Sequence, residues 1–250
     1  MRIARALATA GIDSRRKCER YVTAGAVSVN GELVRDLGRQ IDLERDTIEF
    51  RGRPLHFESY VYFVFHKPAG YTTTASDPHA KKTVYELLPR TLVSRSGRPA
   101  PRRTRVFPVG RLDRDSTGLL LFTNDGELAN RLTHPRFGVG KWYEVRLDRA
   151  LDPRDGRRLL EGIVIEGGKA GFEKIHRISR RVLRVLIREG KKREVRRMFE
   201  KVGYQVVRLC RIAFGPLVLG DLRPGSGRFL NPAEVRRLKK EIPPADKSSS

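Results

Sequence analysis

Residues 110–132 read GRLDRDSTGLLLFTNDGELANRL. Gly110 opens a turn, the run Leu119 to Phe122 has the length and apolarity of a buried strand, and Asp125 stands as an N-cap before the helical spacing of GELANRLTH, which Pro135 stops. The stretch therefore predicts turn, strand and helix in that order, with Asp113 in the turn. A surface aspartate needs no such setting. At the mouth of a buried strand, a turn residue can hold its side chain in a cleft while the strand anchors its backbone. Arg111 and Arg114 beside it favour the ionised carboxylate. An ionised carboxylate can act as nucleophile, base or electrostatic stabiliser. The plainer alternative is a salt-bridged turn aspartate.

Outward from this stretch, RVFPVG, KWYEVRL, RVLRVLIRE and YQVVRLCRIAF have the patterning of strands, and KKREVRRMFEKVG is an amphipathic helix ending at Gly203. YVYFVFHKPAGYTTT begins a β-rich run that stops at Pro68 and Gly70. These elements lack a regular βαβ rhythm. The expected class is α+β, with a mainly antiparallel mixed sheet over residues 60–240. Residues 94–105, with five arginines and no apolar periodicity, are expected to form a mobile basic loop, and residues 241–250 a disordered tail.

The chain opens differently. RIARALATAG and SRRKCERYVTAG each have helical spacing and end at a glycine, Gly11 and Gly25, with Ser14 as the second N-cap. AVSVNGELV alternates around Asn30-Gly31, a strong hairpin signal, and DTIEF supplies a closing strand. Residues 1–50 thus form a small α/β module and residues 51–59 a linker. Arg15, Arg16, Lys17 and Arg20 cluster on the second helix, either as a nucleic-acid-binding surface or as a solvated face.

The 250 residues carry 52 Lys and Arg against 29 Asp and Glu, a formal charge of +23, so the expected partner is a polyanion. No stretch approaches the roughly 18 apolar residues of a spanning helix, and the first residues lack the apolar core of a signal peptide. Nucleic acid fits better than membrane, and a cytoplasmic location follows. Only Cys18 and Cys210 occur, and the five histidines are scattered, so neither a disulfide framework nor a metal site is expected.

The N-terminal order of elements, carried by SRRKCERYVTAGAVSVNGELV, resembles the small RNA-binding domain first described in a ribosomal small-subunit protein. FPVGRLDRDSTGLLLFTNDGELANRLTHP resembles the signature of the RsuA/RluB family of pseudouridine synthases. HKPAGYTTT upstream, KWYEVRL, and REGKKREVRRMFEKVGYQVVRLCRIAFGPLVLGDLRPGSGRFL follow the family pattern in order, so the resemblance covers nearly the whole chain.

The resemblance implies an enzyme that breaks the glycosidic bond of a uridine in ribosomal RNA, turns the uracil and rejoins it through C5, without a cofactor. Asp113 takes the place of the catalytic aspartate, acting on the ribose side either by attacking the anomeric carbon or by removing a sugar proton to form a glycal. Tyr143 matches the tyrosine that stacks on the extruded base, and Arg196 the basic partner of the aspartate, with Arg197 second in rank. Lys67, Arg111, Lys191, Lys192, Arg193 and Arg197 are expected RNA contacts beside the cleft. REVRR and RLCRIAFG look more like the RluB branch, which modifies large-subunit rRNA; the small-subunit branch and a non-catalytic ribosome-assembly protein are the alternatives. A glycosidase would want paired acids, and the signature offers one, with Asp115 expected to face elsewhere. A monomer acting on ribosomal RNA or an assembly intermediate is expected.

Overall fold

The structure, a computed structural model, describes residues 1–43, 45–55, 60–74, 82–89, 91–92 and 106–242. The expected basic loop at 94–105 lies outside these residues. The chain divides into two units, one built on Met1–Val61 with Pro89–Val106 and Asn124–Gly126, the other on the remainder.

In the first unit, α1 (Ile3–Thr9) and α2 (Arg15–Thr23) precede strands β1 (Val27–Val29), β2 (Glu32–Val34), β3 (Ile48–Phe50) and β4 (Arg53–Pro54). The strands pair in the order β2-β1-β3-β4. Asn30 and Gly31 both have positive φ, 52° and 83°, the geometry a two-residue hairpin needs to match strand twist. Ile3, Leu7, Cys18, Val22, Val27 and Ile48 form its core. Residues 53 and 54 were expected in a linker. They pair instead with β3, and Leu55 packs on the core, because one more strand covers apolar surface that β3 would otherwise expose.

The second unit is a mixed sheet. Its strands are β5 (Tyr62–Lys67), β6 (Phe107–Val109), β7 (Thr117–Thr123), β8 (Lys141–Leu147), then β9 (Ile163–Ile165) and β10 (Gly168–Ala170), which form their own hairpin. They are followed by β11 (Lys174–Arg177), β12 (Val182–Ile187), β13 (Val206–Phe214), β14 (Leu217–Val218) and β15 (Gly227–Phe229). The main order is β11-β12-β8-β13-β7-β5-β15, antiparallel throughout except where β13 runs parallel to β7. The expected α+β class with a mainly antiparallel mixed sheet is what forms.

Helices α3 (Gly126–Thr133), α4 (Pro153–Glu161), α5 (Glu194–Lys201) and α6 (Pro232–Glu241) complete the unit. Strand β7 carries the continuous apolar run Leu119–Phe122 because both its faces are covered there. Leu119 and Leu121 pack with Leu128 and Leu132 of α3 and Leu238 of α6, while Phe122 meets Phe65 and Tyr85 edge-on. Each such leucine contributes about 1.5–3 kcal/mol by burial, which fixes the strand that carries the signature. Glu241 and Ile242, expected in a disordered tail, are part of the fold. Glu241 ends α6 and Ile242 is buried in the same core; residues 243–250 lie outside the described residues.

Candidate active site

The signature loop leaves β6 at Gly110, whose φ of 71° turns the chain, and enters β7 at Thr117. Three sets of bonds tie it to the segment after β5. Thr73 Oγ1 donates to the Leu112 carbonyl at 2.9 Å and accepts from the Leu112 amide at 3.3 Å. The Gly70 amide donates to the Arg114 carbonyl at 2.7 Å, and Arg114 Nε returns a bond to the Gly70 carbonyl. Lys67 lies under the loop and donates to the carbonyls of Pro68, Arg114 and Ser116, the last at 2.7 Å. Three N–H donors meet three acceptors.

Lys67 is 0% exposed, and burial lowers its pKa to about 8 against the opposing pull of Asp115 and Asp113. The expectation that Lys67 contacts RNA is therefore corrected. Its ammonium is consumed by loop carbonyls and no surface of it remains for a phosphate.

With Leu112 clasped and the Asp113 carbonyl accepting from the Ser116 amide at 3.1 Å, Asp113 is held half-buried between two anchors. Among the described residues its carboxylate has no hydrogen-bond or ion-pair partner. Arg111 is exposed on the same wall, and Arg114 turns to Gly70, so neither pairs with it.

Arg196 requires a second correction. It was expected beside Asp113, yet its guanidinium meets the Asp115 carboxylate at 3.1 Å and donates to the Val206 carbonyl at 2.8 Å. Asp115, expected to face elsewhere, is the acid that receives α5: Arg193 Nη1 also reaches it, at 3.3 Å. Helical geometry explains this. Arg193 sits at the N-cap of α5 with φ 53°, and Arg196 projects from the same end three residues later, so the two cations bracket the one carboxylate that protrudes from the loop. Arg197 turns away from the cleft to pair with Glu166 at 2.6 Å.

The loop forms one wall of a cleft of about 920 Å³. Of the expected residues, Arg111, Asp113, Tyr143, Lys191, Lys192 and Arg193 line it; Lys67, Arg196 and Arg197 do not. Tyr143 is buried on β8, flanked in register by Val185 of β12 and Arg211 of β13. The Lys191 ammonium is already bound to the Lys169 carbonyl at 2.6 Å and to Glu189, which leaves Lys192, exposed, as the freer cation of that run. Arg15, Arg16, Lys17 and Arg20 are all exposed on α2 of the first unit, where Arg15 pairs with Glu19 and Lys17 with Asp13.

Sequence reading missed Ser116, Lys141, Arg211 and Phe214, all of which line the cleft. Lys141 shares a strand face with Tyr143, two residues away, a signal that was available. Its pKa is lowered, first by burial and then by the charge of Arg211. Arg211 and Phe214 were hidden by a register shift in β13 between Arg211 and Ala213, which breaks simple alternation. Gly118 makes this geometry possible. With φ 112° it lies against the Arg211 backbone, where any Cβ would overlap the Arg211 carbonyl and amide. Among the described residues no group of three or more His, Cys, Asp or Glu could hold a metal ion, and no helix is long and apolar enough to cross a membrane.

Comparison with known proteins gives the family. Residues 61–201 match the family model described as RNA pseudouridylate synthase, and residues 1–48 match the S4 domain. An uncharacterised RNA pseudouridine synthase of Aquifex aeolicus is 39% identical, over 97% of this chain and 95% of its own length. The ribosomal large subunit pseudouridine synthase B of Bacillus subtilis is 38% identical, over 95% of each chain. A crystal structure of a pseudouridylate synthase, 29% identical, superposes with a TM-score of 0.66 over 96% of this chain and 100% of the other.

Proposed function

Because the chain belongs to the RNA pseudouridylate synthases, of the RsuA/RluB type, and is itself a pseudouridine synthase, we propose that its substrate is a uridine of large-subunit ribosomal RNA. The observation that carries the reading is Asp113, a carboxylate fixed by loop anchors on both sides, unpaired among the described residues, in one cleft with Tyr143.

The target base is stacked in folded RNA and must be extruded before a side chain can reach its sugar. Tyr143 stacks on the extruded uracil. Asp113 then acts on the ribose, either by attack of a carboxylate oxygen on C1′ or by taking the C2′ proton; in both cases the C1′–N1 bond breaks with its electron pair leaving on the base. The freed uracil turns and C5 bonds to C1′, either as the C1′–Asp113 ester bond breaks and returns its electron pair to the carboxylate or as Asp113 gives the proton back to C2′ of the glycal. C5 then loses its proton and N1 takes one up, which leaves Asp113 ionised as it began. No electron is gained or lost overall. Lys67, Thr73 and Arg196 are positioning residues: the first two hold the loop from below, and Arg196 holds it through Asp115.

RNA is gripped by backbone phosphates at Arg111, Lys192 and Arg193 on the cleft and at Arg16 and Arg20 on α2, contacts that set affinity and salt dependence and not the chemistry. The large-subunit assignment rests on the Bacillus subtilis relative of that name. The protein acts as a cytoplasmic monomer on ribosomal RNA or an assembly intermediate. Mapping pseudouridine in the rRNA of cells with and without the gene tests the reading: one site lost from large-subunit rRNA supports it, and a loss confined to small-subunit rRNA moves the substrate to the other branch.

A further inference from the structure

Arg211 is 2% exposed, yet it lines the cleft. Its Nε donates to the Leu119 carbonyl at 2.8 Å, and its guanidinium carbon lies 4.9 Å from the Phe214 ring centroid. Nη2 is buried with no hydrogen-bond partner among the described residues. Of the acids near it, Asp115 takes Arg193 and Arg196, Glu189 pairs with Lys191 and Glu194 accepts from the Lys191 amide, while Asp113, free on the same cleft, forms no ion pair with Arg211 in the resting structure. A buried cation without a counter-charge is costly, and in a cleft it marks a place where charge arrives. Lys141 also lines the cleft with its ammonium 5.8 Å from the Phe214 centroid, so two cations contact one aromatic ring. Ser116 adds a second buried, unpartnered polar atom, Oγ, to the cleft lining.

We propose that Arg211 is a catalytic residue whose guanidinium hydrogen-bonds a carbonyl oxygen of the extruded uracil and stabilises the negative charge the base acquires as its glycosidic bond breaks. The proposal rests on the functional reading above. When C1′–N1 breaks, the electron pair passes to N1 and spreads onto O2 and O4, while C1′ either accepts the Asp113 oxygen or joins a C1′–C2′ double bond after Asp113 has taken the C2′ proton. A donor that is pre-placed, dehydrated and unsatisfied in the resting enzyme gains most when that charge appears. Depth decides between base and phosphate. Arg211 is paired in register with Tyr143, at the level of the base, whereas a phosphodiester must keep both its ester arms in the RNA chain and meets the exposed Arg111 and Lys192 instead.

The test uses the full-length protein and transcribed large-subunit rRNA, with pseudouridine formed in a single turnover and RNA affinity measured in parallel. Arg211→Gln is expected to lower the saturating rate about a hundredfold or more with affinity and salt slope nearly unchanged, the scale seen when one oxyanion donor is removed. Arg211→Lys, which restores the charge but not the fork, is expected to recover about tenfold of that loss. If Arg211→Gln does not fold, the Lys variant alone decides, since one ammonium cannot serve both the Leu119 carbonyl and the base: a rate equal to that of the unmodified protein overturns the proposal. A loss that appears in affinity and salt slope, with the rate within about threefold, also overturns it and makes Arg211 a phosphate contact. An unmodified protein inert both on the transcript and on large-subunit assembly intermediates refutes the functional reading itself; an active one with an unimpaired Arg211→Gln refutes this assignment alone.

Discussion

Truncating Arg196 to alanine separates a residue that supports the catalytic loop from one that touches substrate. Its side chain is 7% exposed and the carboxylate it meets on Asp115 is 49% exposed. The ion pair itself contributes about 0–1 kcal/mol, because water solvates Asp115 once the cation has gone. The larger losses are elsewhere. The buried Val206 carbonyl loses its 2.8 Å donor, which costs about 1–3 kcal/mol, and the buried methylene stem leaves a void worth about 2 kcal/mol. Against these, Nε of Arg196 is buried without a partner, and removing it relieves about 1 kcal/mol of desolvation. The net expectation for Arg196→Ala is a loss of about 2–5 kcal/mol in urea unfolding. Because Asp115 lies two residues beyond Asp113, freeing it also displaces the carboxylate, and a shift of about 1 Å costs on the order of a hundredfold in rate. Asp115→Ala strands the buried Arg196 cation and should cost about 1–3 kcal/mol in stability while lowering the rate comparably, and the double variant should be no slower than Arg196→Ala alone. Single-turnover assays and unfolding curves on the three variants check this. If Asp115→Ala turns over at the unmodified rate, Arg196 does not act through Asp115 and the reasoning fails.

Gly118→Ala should abolish activity and cost more than about 3 kcal/mol, because its φ of 112° is strained for alanine and the new methyl would strike the Arg211 backbone; a variant within 1 kcal/mol in thermal unfolding contradicts the close approach. Lys67 titrates near 8 in the fold against about 10.4 in the unfolded chain, so between these values the unfolded state binds more protons and its contribution to stability rises with pH. The stability of the unmodified protein relative to Lys67→Met should therefore move in favour of the unmodified protein from pH 8 to 10.4, and a flat or falling difference counts against the burial. Replacing Arg16 and Arg20 together by alanine should weaken rRNA binding and reduce the slope of log affinity against log salt by about two, sparing the saturating rate; an unchanged slope removes α2 from the RNA interface.

Local signals made the framework legible. The apolar run at 119–122 read as a buried strand, Asn30-Gly31 fixed a hairpin, and the resemblance carried by the GRLD turn located Asp113. What stayed hidden depends on long-range contacts. Lys67 reads as a surface lysine until the carbonyls of residues 114 and 116 fold over it. Arg196 was paired with Asp113 through the resemblance, and spacing along the loop does not reveal which of Asp113 and Asp115 protrudes toward α5. Arg211 and Phe214, three apart in β13, share the cleft through a register shift that alternation does not anticipate. The segment holding α4 and the β9–β10 hairpin went unread although Asp152, Pro153 and the later Gly167-Gly168 are ordinary cap and turn signals. Their apolar residues are too sparse to show a period.

Asp113→Asn bears most directly on the central claim, since it removes the ionised oxygen, keeps the shape and leaves the Leu112 and Ser116 anchors intact. Purified variant and unmodified protein are each saturated with large-subunit rRNA, and pseudouridine is followed through a single turnover. The account predicts no detectable product from Asp113→Asn with RNA affinity within a few fold of the unmodified protein. Product formed within tenfold of the unmodified rate would contradict it.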